Sequence, residues 1–127
     1  MKKKVFIIED DMEILSTIEE LLTDEGYEVS TAKNGQDAID QLKVMSQLPQ
    51  WILLDLMMPV KDGMGFREDQ TEDSRLKKIP VILMSADGQI EAKKLKMGIE
   101  KHLKKPLDID VLLTLIEANI LIEPCKN

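Results

Sequence analysis

At 127 residues, 43% of them hydrophobic, the chain suits one domain with a core of its own, read as a single unit over residues 1–127. A formal net charge of −7 disfavours direct nucleic-acid binding, which draws on clustered Lys and Arg, and a single cysteine, Cys125, excludes an internal disulfide or a Cys-based metal site. No run of about 18 uncharged apolar residues occurs, and Val5–Ile8 is too short for a signal-peptide core, so a cytoplasmic protein without membrane insertion is expected.

Along the chain, short apolar runs alternate with helical periods. Val5 to Ile8 is rich in branched residues and reads as a buried strand. Ile14, Leu15, Ile18, Leu21 and Leu22 recur at helical spacing, and Gly26 closes that helix. Tyr27 to Ala32 alternates as a strand does. Asn34 caps a second helix with Ala38, Ile39, Leu42 and Met45 inward, and Pro49 lies beyond it. Trp51 to Leu54 is a buried-strand run leading into Asp55 and the turn Pro59 to Gly63. Residues 64–76 are helical by alternation, yet Met64, Phe66 and Leu76 give them a thin apolar face. Ile79 to Met84 is a strand, Ile90 to Met97 a helix ended by Gly98, and Lys101 to Leu103 a short strand. Asp108 caps a last helix with Ile109, Leu112, Leu113, Ile116 and Ile120 inward. Five strands alternating with five helices predict a parallel sheet covered on both faces, with its functional crevice at the carboxyl ends of the strands.

Polar groups stand where that rule puts a site. Glu9, Asp10 and Asp11 follow the first strand, Asp55 ends the third, Ser85 the fourth, and Lys105 follows the fifth. Crowded carboxylates repel, which raises some of their pKa values unless a cation intervenes. Oxygen-only ligands at this density suit Mg²⁺, which favours sites shared with phosphate. A carboxylate can also attack phosphorus and form an acyl phosphate, with Lys105 and the Ser85 hydroxyl to neutralise the equatorial oxygens. Asp11 or Asp10 is also expected to cap the first helix.

Four stretches carry a resemblance. Val5-Phe6-Ile7-Ile8-Glu9-Asp10-Asp11 resembles the opening of response-regulator receiver domains, and Leu53-Leu54-Asp55-Leu56-Met57-Met58-Pro59-Val60-Lys61-Asp62-Gly63 resembles their phosphorylation-site signature. Pro80 to Ala86 resembles the strand with the switch hydroxyl, and Lys104-Lys105-Pro106 the Lys-Pro pair. The resemblance spans nearly the whole chain. It implies a flavodoxin-like (βα)5 fold, Asp55 as phosphoacceptor, and Mg²⁺ held by Asp10, Asp55 and the Met57 carbonyl, with Glu9 acting through water. It implies phosphate contacts from Ser85, Ala86 and Lys105, and a cis peptide before Pro106. It also implies a histidine kinase or phosphotransfer protein as phosphoryl donor and a downstream protein target. In that role the chain is a switch, catalysing only its own phosphorylation and dephosphorylation.

Some positions depart from the family pattern. Glu9 replaces the commoner Asp, Ser85 the commoner Thr, and Gln50 a frequent Asp; His102 stands where Tyr or Phe usually acts as the rotating switch residue. Lys93, Lys94, Lys96, Lys101 and Lys104 are expected to face outward beside His102, as a solvated or partner-binding face, with Lys105 turned inward. Their charge should disfavour protonation of His102.

Other functions compete. A Mg²⁺-dependent phosphohydrolase with an Asp nucleophile would carry an acid two residues on, where Met57 cannot transfer a proton. A flavin carrier would need Ser, Thr and Gly after the first strand rather than Glu9-Asp10-Asp11. A receiver-like scaffold that never turns over phosphate is opposed by the intact Asp55, Ser85 and Lys105. Only Glu123 to Asn127 follow the last helix, which leaves a stand-alone receiver or the N-terminal part of a longer DNA-binding regulator.

Overall fold

The computed structural model describes residues 3–86 and 88–122, with side chains as far as residue 117. In chain order the elements are β1 (Lys4–Ile8), α1 (Met12–Asp24), β2 (Glu28–Ala32), α2 (Gly35–Val44) and β3 (Trp51–Asp55). They continue as α3 (Gly63–Glu72), β4 (Val81–Ser85), α4 (Ile90–Met97), β5 (Lys101–Lys104) and α5 (Ile109–Ile122). The five strands form one parallel sheet in the order β2-β1-β3-β4-β5, the flavodoxin-like arrangement expected from the alternation.

The apolar runs take the middle of the sheet. Every residue of β3 and β4 is buried, and so are four of the five in β1. Edge strands β2 and β5 are mixed, as one-sided cover requires. Ala38, Ile39, Leu42, Phe66, Ile90 and Met97 bring α2, α3 and α4 onto one face. Leu15, Ile18, Leu22, Leu112 and Ile116 bring α1 and α5 onto the other. Leu21 is exposed, against expectation. At 100° per residue it stands roughly 90° off the stripe that Leu15, Ile18 and Leu22 define.

Helix starts follow their caps. Asp11 Oδ1 accepts from the Glu13 and Ile14 amides, which leaves Asp10 free of the capping role. Asn34, Asp62 and Asp108 cap α2, α3 and α5 in the same way. Glu25 caps the end of α1, with Gly26 at φ +95 after it, and Gly98 at φ +67 caps the end of α4.

β1 begins one residue early at Lys4, β5 runs on to Lys104, and Met45 lies just past the end of α2; three other boundaries also moved. Tyr27 donates its amide to Leu22, closing α1, so β2 begins at Glu28. The Ile79 amide is taken by the Leu76 carbonyl and Pro80 has none to give, so β4 starts at Val81. Helix α3 stops at Glu72 because Asp73 Oδ1 accepts from the Arg75 and Leu76 amides and opens a new turn, from which Leu76 still reaches the core. The expected inward position of Ile120, and Cys125, lie outside the described side chains. Among the described residues no helix is long and apolar enough to cross a membrane.

Candidate functional site

Register brings the polar strand ends together. Ile8 pairs with Leu54, Asp55 with Met84, and Ser85 with Lys104. Glu9, Asp55, Ser85 and Lys105 therefore sit within one step of each other at one edge of the sheet. Glu9, Asp10, Asp11, Asp55, Met57, Ser85, Ala86 and Lys105 line a cleft of about 540 Å³ there. Of the residues singled out for chemistry, His102 alone stands outside that lining.

Glu9 is fully buried and Asp55 is 4% exposed. The Lys105 ammonium lies 2.6 Å from Glu9 Oε1 and 3.3 Å from Asp55 Oδ1. Glu9 Oε2 accepts from the Asp11 amide at 3.1 Å, and Asp55 Oδ1 from the Met57 amide at 3.4 Å. Burial, then the hydrogen bond and charge of Glu9, push the Asp55 carboxyl up to about 7, against the opposing pull of Lys105. Lys105 is desolvated, but its two carboxylate partners outweigh that and raise its pKa. It stays a cation.

Carboxylate oxygens of Glu9, Asp10 and Asp55 come within 4.8 Å of one another. Two of these residues are buried and Asp10 is exposed, so the group opens toward solvent. An all-oxygen donor set with room for water fits Mg²⁺. Burial and the neighbouring Glu9 both disfavour the charged form of Asp55, so a cation held among these oxygens would favour its carboxylate.

Two glycines shape the loop after Asp55, and the sequence reading passed over Gly35. The Gly35 amide donates to the Lys61 carbonyl at 2.8 Å, and a Cβ there would stand 2.7 Å from that oxygen. A Cβ on Gly63 would stand 2.8 Å from the Asp55 carbonyl. Only glycine allows these approaches, which fix the Met57–Asp62 loop over the cleft. Lys61 also pairs with Asp69 of α3.

His102 is half-buried on β5, its Nδ1 3.0 Å from the Lys94 ammonium of α4. Its pKa is lowered first by burial and then by Lys94, so burial leads the effect expected from the lysines alone. The outward basic face is smaller than expected. Lys94 is engaged by His102, Lys101 lies 5.4 Å over the Trp51 ring, and Lys93 is half-buried; Lys96 and Lys104 are exposed. The Lys105–Pro106 peptide is cis.

The response regulator receiver domain family matches residues 5–117, and the chain belongs to that family. Among solved structures it is similar to the chemotaxis response regulator CheY4 of Vibrio cholerae, at 27% identity and a TM-score of 0.83 over 93% of this chain and 98% of that one. It is likewise similar to a Francisella response regulator receiver domain, at 27% identity and 0.81 over 98% and 99%. The fold is shared by the receiver domain of a Pseudomonas aeruginosa PAO1 sensor histidine kinase, at 24% identity and 0.83 over 93% and 97%; that structure has magnesium coordinated in its active site cleft. The chain is thus a receiver domain of two-component signalling.

Proposed function

We propose that Asp55 accepts a phosphoryl group from a histidine kinase or phosphotransfer protein and that the acyl phosphate resets the face this domain offers to a downstream protein. The observation that carries this is Asp55, buried at a strand end and 3.3 Å from the Lys105 ammonium, in a cleft that also holds Ser85 and the Glu9–Asp10 carboxylates. An Asp55 oxygen attacks phosphorus in line as the bond from phosphorus to the donor nitrogen breaks. Lys105 balances the equatorial oxygens, and the Ser85 hydroxyl and Ala86 amide donate to them. Glu9, Asp10, Asp55 and the Met57 carbonyl would hold Mg²⁺, which supplies charge neutralisation between carboxylate and phosphoryl oxygens. As Ser85 engages the phosphoryl group, His102 on neighbouring β5 turns inward as a neutral ring and releases Lys94 of α4.

The test is intact mass after incubation with acetyl phosphate and Mg²⁺. Wild type should gain one labile phosphoryl group, and Asp55→Asn should gain none. An equal gain in the variant would remove Asp55 from the role.

A further inference from the structure

The opposite end of the sheet carries a second concave site. Trp51, Val81 and Lys101 are the first residues of β3, β4 and β5. With Arg67, Lys77, Lys78 and Gly98 they line a pocket of about 250 Å³. Four strand steps separate Trp51 from Asp55, about 13 Å, so this pocket is distinct from the phosphoacceptor cleft.

Its electrostatics run against those of the molecule. Four cations line it against one acid, Glu100, in a chain of net charge −7. Arg67 is the anomaly. Its guanidinium is half-buried and donates to the Met97 carbonyl at 2.8 Å, the Gly98 carbonyl at 3.0 Å and Gln70 Oε1 at 2.7 Å, all neutral acceptors. Burial lowers its pKa with no carboxylate to offset it. Among the described residues no carboxylate pairs with Arg67, Lys77, Lys78 or Lys101. A guanidinium has five N–H donors, so two remain for another acceptor. A desolvated cation without a counter-charge is unfavourable, and an anion relieves it.

The shape limits the guest. Ligand pockets usually run from about 300 to 1,000 Å³, so this one takes a small group. Trp51 is buried, which leaves no open ring face for a base to stack on. A volume of about 250 Å³ admits one compact anionic group and not an extended acidic peptide. We propose that the pocket binds a compact dianion of the phosphate class, free or as the terminal group of a small metabolite.

Trp51 is the single tryptophan, with the Lys101 ammonium over its ring, so its emission reports on the pocket. Inorganic phosphate and glycerol 3-phosphate are titrated in separate arms, with EDTA and at constant ionic strength set by NaCl. A saturable change with a midpoint below about 10 mM is expected, and the arm with the lower midpoint names the source. Lys77→Gln/Lys78→Gln removes two exposed charges and should weaken the response at least tenfold, while acetyl phosphate labelling at Asp55 stays intact. Asp55→Asn should leave the response unchanged. The proposal fails if neither arm saturates, if the lysine variant responds like wild type, if Asp55→Asn abolishes the change, or if a glutamate-rich peptide saturates it where phosphate does not.

Discussion

Asp55 is held in a place that opposes its own charge. Its folded pKa is about 7 against an ordinary 3.8, so ionisation costs stability in the folded state only. The cost starts as pH rises above the unfolded value and is complete once pH passes about 7. A shift of that size, the opposing pull of Lys105 included, corresponds to at most roughly 4 kcal/mol. Asp55→Asn should therefore be more stable than wild type by about 1–3 kcal/mol at pH 8 without metal. The difference should shrink toward zero as pH falls to 4. Urea melts of both proteins across that range check it; a pH-independent difference would contradict it. Val60 is a second residue under strain, a β-branched side chain at φ +67 and 85% exposed. Its side chain gains little from packing, so Val60→Gly should raise the unfolding free energy by about 0.5–1 kcal/mol, read as a higher urea midpoint with the slope unchanged. Glu9, Asp10, Asp55 and Ser85 were legible in the sequence because each stands at the end of a short apolar run, and such runs end at one edge of a parallel sheet; Lys105 follows the polar strand Lys101–Lys104 and was legible from the Lys-Pro pair. Gly35 and Arg67 were not legible. Their roles depend on the Lys61 carbonyl and on the end of α4, which lie far along the chain and give no local signal.

At the scale of elements, α3 shows where periodicity loses its hold. It buries Phe66 and Gln70, and much of the rest of its surface is polar. Those polar groups tie other elements down. The Gln70 amide donates to the Leu76 and Ile79 carbonyls, both at 3.0 Å, and so fixes the entry to β4. Arg67 caps the end of α4, and Arg75, in the turn after α3, donates to the Leu42 and Met45 carbonyls at the end of α2. A hydrophobic stripe cannot reveal a helix anchored this way. Gln70→Leu keeps the volume but removes the amide from the Leu76 and Ile79 carbonyls, of which Leu76 keeps the Ile79 amide, and takes one of three acceptors from Arg67. It should lower stability by about 2–4 kcal/mol in thermal or urea melts. A loss under about 0.5 kcal/mol would show that the amide is not holding the β4 entry. The better-marked helices were readable from caps: Asp11, Asn34, Asp108 and Gly98 act where the sequence places them.

Across the whole molecule, fold and site were readable together because alternation fixes a parallel sheet and the sheet fixes which end gathers the loops. The basic pocket at the far end was not readable, since its cations come from α3, the α3–β4 turn and β5. The acidic end also sets how the domain should meet a divalent cation. Among the described residues lining the Asp55 cleft Lys105 is the only cation, so repulsion among Glu9, Asp10 and Asp55 is only partly relieved. Mg²⁺ would replace protons at Asp55, and its affinity should rise with pH up to about 7 and level off above it. Binding to the folded state alone raises stability by RT ln(1 + [Mg²⁺]/Kd), about 2.7 kcal/mol at a hundredfold excess over Kd. Wild type should thus melt higher in MgCl2, more so at pH 8 than at pH 5. Asp10→Ala removes one acid from the cluster; it should melt higher than wild type in EDTA and lose most of the MgCl2 increment. Thermal melts of both proteins in EDTA and in MgCl2, at the two pH values, separate these effects. If Asp10→Ala kept the full increment, the metal site would have to be placed away from Glu9, Asp10 and Asp55.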